Sequence, residues 1–400
     1  MKKLAIALVA AMSTYAMAEN ANHPSWSDTL MKAKGQTVYW NAWGGADNIN
    51  DYIQWVADRV EDEYQVQLEH VKLTDTAHAV SRVLAEKVAG QNDNGSVDLI
   101  WINGENFRAM KEGGLLFGPF AETLPNYQTY VTASARQSLT QDFGTPVEGM
   151  ESPWGMAQVV FMYDTATLYE PPKSMHALLD YAKQHPGRVT YPRPPQFLGS
   201  TFLKQALSEL TDDPSKLQQP VASQDFDQIT APLWAFLDEL HPVAWRSGTT
   251  FPGSSEEMMR LLDDQEIDIA LSFDVSAASV QIAQGNLPDT VRTYVLDGGT
   301  IGNTHFVAIP FNSSAKEGAQ VVANFLLSPE AQAYKQEPTV WGDLSVLDYH
   351  KLEPKDQARF DNIPKGIATL SLGELGTTLP EPHVSWMEAL EQGWRERYAN

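Results

Sequence analysis

The chain has 400 residues, 43% hydrophobic and 20% charged, enough for a full core and more than one domain usually holds. It has no cysteine, which excludes disulfides, thiolate metal sites, cysteine nucleophiles and a lipid-anchored cysteine. A formal charge of −23 speaks against nucleic acid or anionic membrane as partner, although an acidic surface also serves simple solubility.

Residues 1–18 read as a secretory signal peptide. Lys2 and Lys3 form its charged start, Leu4 to Met12 its apolar run, and Ala16-Met17-Ala18 its small-x-small cleavage site, with cleavage expected after Ala18. The apolar run is too short for a permanent span, and no later segment reaches roughly 18 uninterrupted apolar residues. A free protein of a Gram-negative periplasm is expected.

After a polar lead comes a strand, Thr37 to Trp40, and then an amphipathic helix with Ile49, Ile53, Val56, Ala57 and Val60 at helical spacing. The strand "QVQLEHVKL", a helix from about Thr76 to Ala89, and the buried-type strand "VDLIWI" follow. Strand and helix alternating in this way predict an α/β layer with parallel strands. A further helix runs from "NGENF" to "EGGLLFGPF". The aromatic-rich run "WGMAQVVFMY", Trp154 to Tyr163, is long enough to leave one lobe and enter another. Beyond it, Ser174 is a helix cap, a new helix begins near Ser200, and Thr211 to Gln228 is a polar excursion. Ser254-x-x-Glu257 is a capping box. Ile267 to Phe273 is a strand ending in Asp274, "THFVAIPFN" another, and Ser328-Pro329 starts a late helix.

The dinucleotide fingerprint, the phosphate-binding lysine loop and G-x-S-x-G are all absent. Gly44-Gly45 could bring backbone N–H groups to an anion at a helix start, or simply make a tight turn. No histidine spacing compels a metal site. What remains is a set of strand and helix ends rich in aromatic, amide and small residues: Trp43, Gly44, Asp47 and Asn48; Asn103, Glu105 and Asn106; Trp154; Ser200 and Thr201; Phe251 and Ser254; Phe273 and Asp274. Each alone fits a turn or core residue. Together they suit a ligand cleft, because in open α/β sheets ligands gather beyond the carboxyl ends of strands.

The runs "HFVAIPFNSSAKEGAQVVANFLLSPEAQ", "VDLIWINGENFRAMKEGGLLFGPF" and "VVFMYDTATLYEPPKSMHALLDYAK" resemble segments of the type II periplasmic solute-binding proteins of ABC importers, nearest to the YnjB-like branch of that extracellular family. The resemblance implies an α/β fold of two lobes with an interlobe ligand cleft. The first lobe would take residues 19–159 plus about 305–335, the second 160–304, with 336–400 a C-terminal helical segment of open assignment. It also implies no cofactor, no catalysis, a monomer, and delivery to an inner-membrane permease driven by a cytoplasmic ATPase. The solute is expected to be a cationic organic compound, thiamine-like or polyamine, with a neutral sugar fitting nearly as well. An exported hydrolase using Glu105 and Asp274, or a solute sensor of the same fold, stands as the alternative.

Overall fold

The computed structural model describes residues 25–371 and 373–399; the predicted signal and its cleavage point lie outside them. Among the described residues no helix is long and apolar enough to cross a membrane. The strands in chain order are β1 (Thr37–Trp43), β2 (Gln67–Leu73), β3 (Leu99–Ile102), β4 (Gln141–Asp142), β5 (Thr145–Pro146), β6 (Glu151–Gln158), β7 (Val160–Asp164), β8 (Ile269–Ser272), β9 (Val291–Tyr294), β10 (Thr300–Ala308) and β11 (Thr378–Pro380).

The larger sheet runs β2-β1-β3-β10, with β6 on the far edge of β10 and β11 beside its first residues. As predicted, β1, β2 and β3 are parallel, with Trp43 opposite Leu73 and Trp40 opposite Leu99. Their carboxyl ends therefore share one edge. Strand β10 returns antiparallel to both β3 and β6. The alternation of side chains explains the two cores of this lobe: Leu99 packs with Trp40, Ile53 and Val322, while Ile100 and Ile102 pack on the other face with Phe107 and Met110.

The second lobe is built on an antiparallel sheet, β8-β7-β9, whose core includes Phe161, Leu203, Leu233 and Leu271. The run Trp154 to Tyr163 is two strands, broken at Val159, whose N–H donates to Ile301 O at 2.8 Å. Val159 and Ile301 belong to the second core, whereas Val307, later on β10, belongs to the first. Three segments thus connect the lobes: β6 into β7, β9 into β10, and the C-terminal passage through β11. The last helix, Val384–Tyr398, buries Trp386, Leu390 and Trp394 in the second core.

Local signals explain the helix starts. Ser174 and Ser328 accept from Ala177 N and Ala331 N, at 3.0 and 3.1 Å. Ser254 accepts from Glu257 N at 3.2 Å, but Glu257 reaches back to Gly253 N rather than to the cap residue itself. The helix expected near Ser200 begins earlier, at Phe197, because the Gln196 side chain caps it. The polar excursion folds as two short 3-10 turns, Pro214–Gln218 and Val221–Ser223.

Candidate functional site

At the carboxyl end of β1, the Trp43 indole lies over the backbone of Gly45, and a Cβ there would collide with the ring. Gly45 is therefore needed to let the ring fold flat. The ring remains 39% exposed. The anion-binding idea for Gly44 is corrected here: its N–H donates to Leu73 O at 3.0 Å and extends the sheet. Helix Asp47–Tyr64 starts after Ala46, which offers no side-chain cap, so its first turn is served only by Asp47. Asp47 is exposed and Asn48 half-buried. At the end of β3, Asn103 leads into helix Gly104–Glu112 without capping it. Gly104, at φ +61°, donates its N–H to the buried Asp142 at 2.6 Å. This turn sets Glu105 at the helix start, with Asn106 donating to it at 3.2 Å.

The second lobe meets this edge with helix Phe197–Leu210. Phe197 is 42% exposed at its start and packs on Phe273 with ring centroids 5.4 Å apart. Ser200 donates to Glu391 of the C-terminal helix at 2.5 Å. One turn further, the fully buried Lys204 pairs with Glu381 at 2.6 Å and lies 4.8 Å from the Phe143 ring centre. Glu105 reaches solvent yet is crowded by protein. That desolvation pushes its carboxyl above the usual range; Lys204 pulls it down, and Glu391 and Asp75 push it up. Glu391 is raised in the same way, with Ser200 and Lys204 opposing. Glu391 of the second lobe therefore bears on Glu105 of the first, and the Lys204 ammonium that opposes both shifts is already paired with Glu381.

Other candidates fall elsewhere. Trp154 is completely buried, edge-on to Trp40 and Trp101, so it cannot stack on a solute. Every residue of β6 is buried, which makes its aromatic a core residue. Thr201 is fully buried, Phe251 packs with Tyr191, His241 and Trp394, and Ser254 is a helix cap. Asp274 accepts from Ser276 N at 2.8 Å, and Ser276 Oγ donates to Gly342 O at 3.2 Å, a contact between the lobes. Burial and the neighbouring Asp343 push Asp274 up to about 7. Asp343 in turn is held down, despite burial, by Lys335 and His305. Asp343 bears on Asp274, whereas Lys204, Glu391 and Asp75 bear on Glu105, so the two acids of the hydrolase alternative sit in separate clusters.

Sequence reasoning missed Phe197, Lys204, Glu381 and Glu391. Lys204 carried a signal, being the one charged residue in the run "FLGSTFLKQAL". A cavity of about 450 Å³ lies over the connecting strands rather than among these residues.

Two α/β lobes joined by crossing strands have the fold of the two-lobed periplasmic binding proteins. The chain belongs to the bacterial extracellular solute-binding protein family, whose model matches residues 55–348. It is 44% identical over 391 residues to Protein YnjB of Escherichia coli strain K12, covering 98% of each chain. In fold it is similar to the periplasmic binding protein AfuA of Actinobacillus pleuropneumoniae, solved with fructose-6-phosphate, at TM-score 0.61 and 14% identity over 91% of this chain and 99% of that one. It is also similar to PotD, the spermidine/putrescine transporter substrate-binding protein of Streptococcus pneumoniae, at TM-score 0.56 and 14% identity over 90% and 99%. The family binds small solutes and supplies ABC permeases.

Proposed function

We propose that this protein captures a small cationic organic solute in the periplasm, as a monomer, for an inner-membrane permease with its own ATPase. The observation that carries the reading is the pair Glu105 and Glu391, one from each lobe, raised by desolvation against the pull of Lys204 and, for Glu391, Arg395, with no basic group in salt-bridge contact with either among the described residues. A cation between them would relieve both. Because it touches both lobes, it would favour the closed arrangement by differential affinity, as capture requires. Trp43 and Phe197, exposed on opposite lobes, would flank it, each cation–π contact contributing about 0.5 to 2 kcal/mol. Asn48 and Asn103 supply amides for orientation. The fold likeness to a spermidine/putrescine binder is compatible with this reading but does not carry it.

The test is native mass spectrometry of the mature protein purified from periplasm, followed by titration calorimetry with thiamine, spermidine and maltose. Stoichiometric binding of a cation that weakens at least tenfold in Glu105→Gln and Glu391→Gln supports the proposal. Binding of maltose alone, or cation binding indifferent to both variants, would overturn it.

A further inference from the structure

The cavity of about 450 Å³ shares no residue with the Trp43–Glu105–Glu391 cleft. Its walls are Met156, Ala157 and Gln158 of β6, Gly302 and Asn303 of β10, and the β11 passage from Leu375 to Pro380, closed over by the loop at Arg136 to Ser138. All three segments that connect the lobes therefore line one space. Its volume falls in the range of ordinary small-molecule sites, and its lining mixes leucine and methionine side chains with a few polar groups.

Two of those polar groups are open to a ligand. Arg136 is exposed at the mouth of this space, where partial desolvation still lowers its guanidinium below the ordinary value; the one group opposing that is Asp348, which is already bonded to Thr132 Oγ1 and His350 N. Among the described residues, the only hydrogen-bond partner of the Arg136 side chain is Met156 Sδ, at 2.7 Å. Thioether sulfur is a weak acceptor, and a guanidinium offers five donors in a planar fork suited to a carboxylate. Asn303 is buried, its amide nitrogen 3.4 Å from Glu381 and its carbonyl oxygen without a partner. The cavity thus presents a cationic fork at its mouth, an unpaired acceptor inside, and apolar walls from Met156, Leu344, Leu375 and Leu379.

We infer that this cavity is a second ligand site, independent of the solute cleft, for a small apolar carboxylate bearing an N–H or O–H donor, such as an amino or hydroxy acid with a hydrocarbon side chain. The carboxylate pairs with Arg136, the donor meets Asn303 Oδ1, and the hydrocarbon lies against Leu344 and Leu375. An occupant rests on the strands that must bend when the lobes move, so its affinity differs between the open and closed arrangements. By linkage its binding shifts solute affinity, and solute shifts its own by the same factor.

The probes are leucine and 2-hydroxyisocaproate, with leucinamide as the control lacking the carboxylate, titrated into the mature full-length protein by calorimetry and ligand-observed NMR. Saturable binding of either acid below 10 mM (roughly the weak end of specific affinity), at least tenfold tighter than leucinamide, is expected. Arg136→Gln should weaken it at least tenfold with unchanged apo melting, and Ser138→Trp, which fills the space, should abolish it. Trp43→Ala and Glu105→Gln should leave it unchanged, which separates failure of this site from failure of the cleft reading. No saturable binding of either acid, binding indifferent to Arg136→Gln, or binding lost in the cleft variants would each overturn the inference. A small-angle scattering curve unchanged at saturation would overturn the coupling to lobe movement.

Discussion

Asp274→Asn should stabilise the protein, and only above acid pH. The Asp274 carboxyl follows β8, is enclosed by protein, accepts from Ser276 N, and faces the ionised Asp343 across the lobe contact at Gly342. Desolvation first and Asp343 second raise it from the ordinary 3.8 to about 7, with the Ser276 hydrogen bond opposing. A group raised in the folded state favours folding below its unfolded value, and that contribution is lost as pH climbs through the folded one. At pH 8 the buried charge costs about 4 kcal/mol at most, three pKa units at about 1.4 each. Asparagine keeps an acceptor for Ser276 N and removes the charge. The variant should therefore melt above the parent at pH 8 and level with it near pH 4, in paired calorimetric scans. A gain independent of pH, or a loss at both values, would refute the reasoning.

Trp43→Ala should weaken solute binding about tenfold or more while apo melting stays within about 1 °C, since the ring rests on Gly45 at the surface; a collapse of apo stability would show the ring to be core. Solute affinity should rise with pH through the elevated carboxyl range of Glu105 and Glu391, because a cation binds their ionised forms, and the Glu105→Gln,Glu391→Gln double variant should flatten that profile in calorimetry. Lys335→Met should cost about 3 to 5 kcal/mol in denaturant unfolding, since it strips the buried Asp343 of its ammonium and leaves only His305 beside it.

Much of the first lobe was legible because its signals are local. The i, i+4 spacing of Ile49, Ile53 and Ala57, the buried run before Ile102 and the serine caps each declare an element within about ten residues, and parallel strands then share one edge. The strand ends proposed for the cleft were legible for the same reason, since Trp43, Asp47, Asn48, Asn103 and Glu105 all follow parallel strands. Trp154 misled because an aromatic at a crossing looks the same in sequence whether its strand is open on one face or, like β6, buried on both. Glu391, Lys204 and Glu381 were missed because they meet only through tertiary packing, with almost two hundred residues between Ser200 and the carboxylate it holds. No periodicity reports a contact of that range.

The C-terminal helix shows how such distant packing is enforced, and it can be tested directly. Trp394 N–H donates to Tyr191 Oη at 2.7 Å, which leaves the tyrosine proton for His241 Nε2 at 2.8 Å. The histidine must then accept, and so be neutral; burial holds it down at about 4, so the chain of three is satisfied throughout the neutral range. Trp394→Ala removes a fully buried indole and reopens that chain, a loss of about 3 to 5 kcal/mol. Because Trp386, Leu390 and Trp394 pack in the core of Phe161 and Leu233, and Trp40 and Val322 in another, hydrogen exchange should rise in β7, β8 and helix Phe226–Leu240 while β1 and β3 keep their protection. Equal loss in both lobes would mean that they unfold as one unit, and a cost under about 1 kcal/mol would mean that the last helix is an accessory and not a structural part of the second lobe.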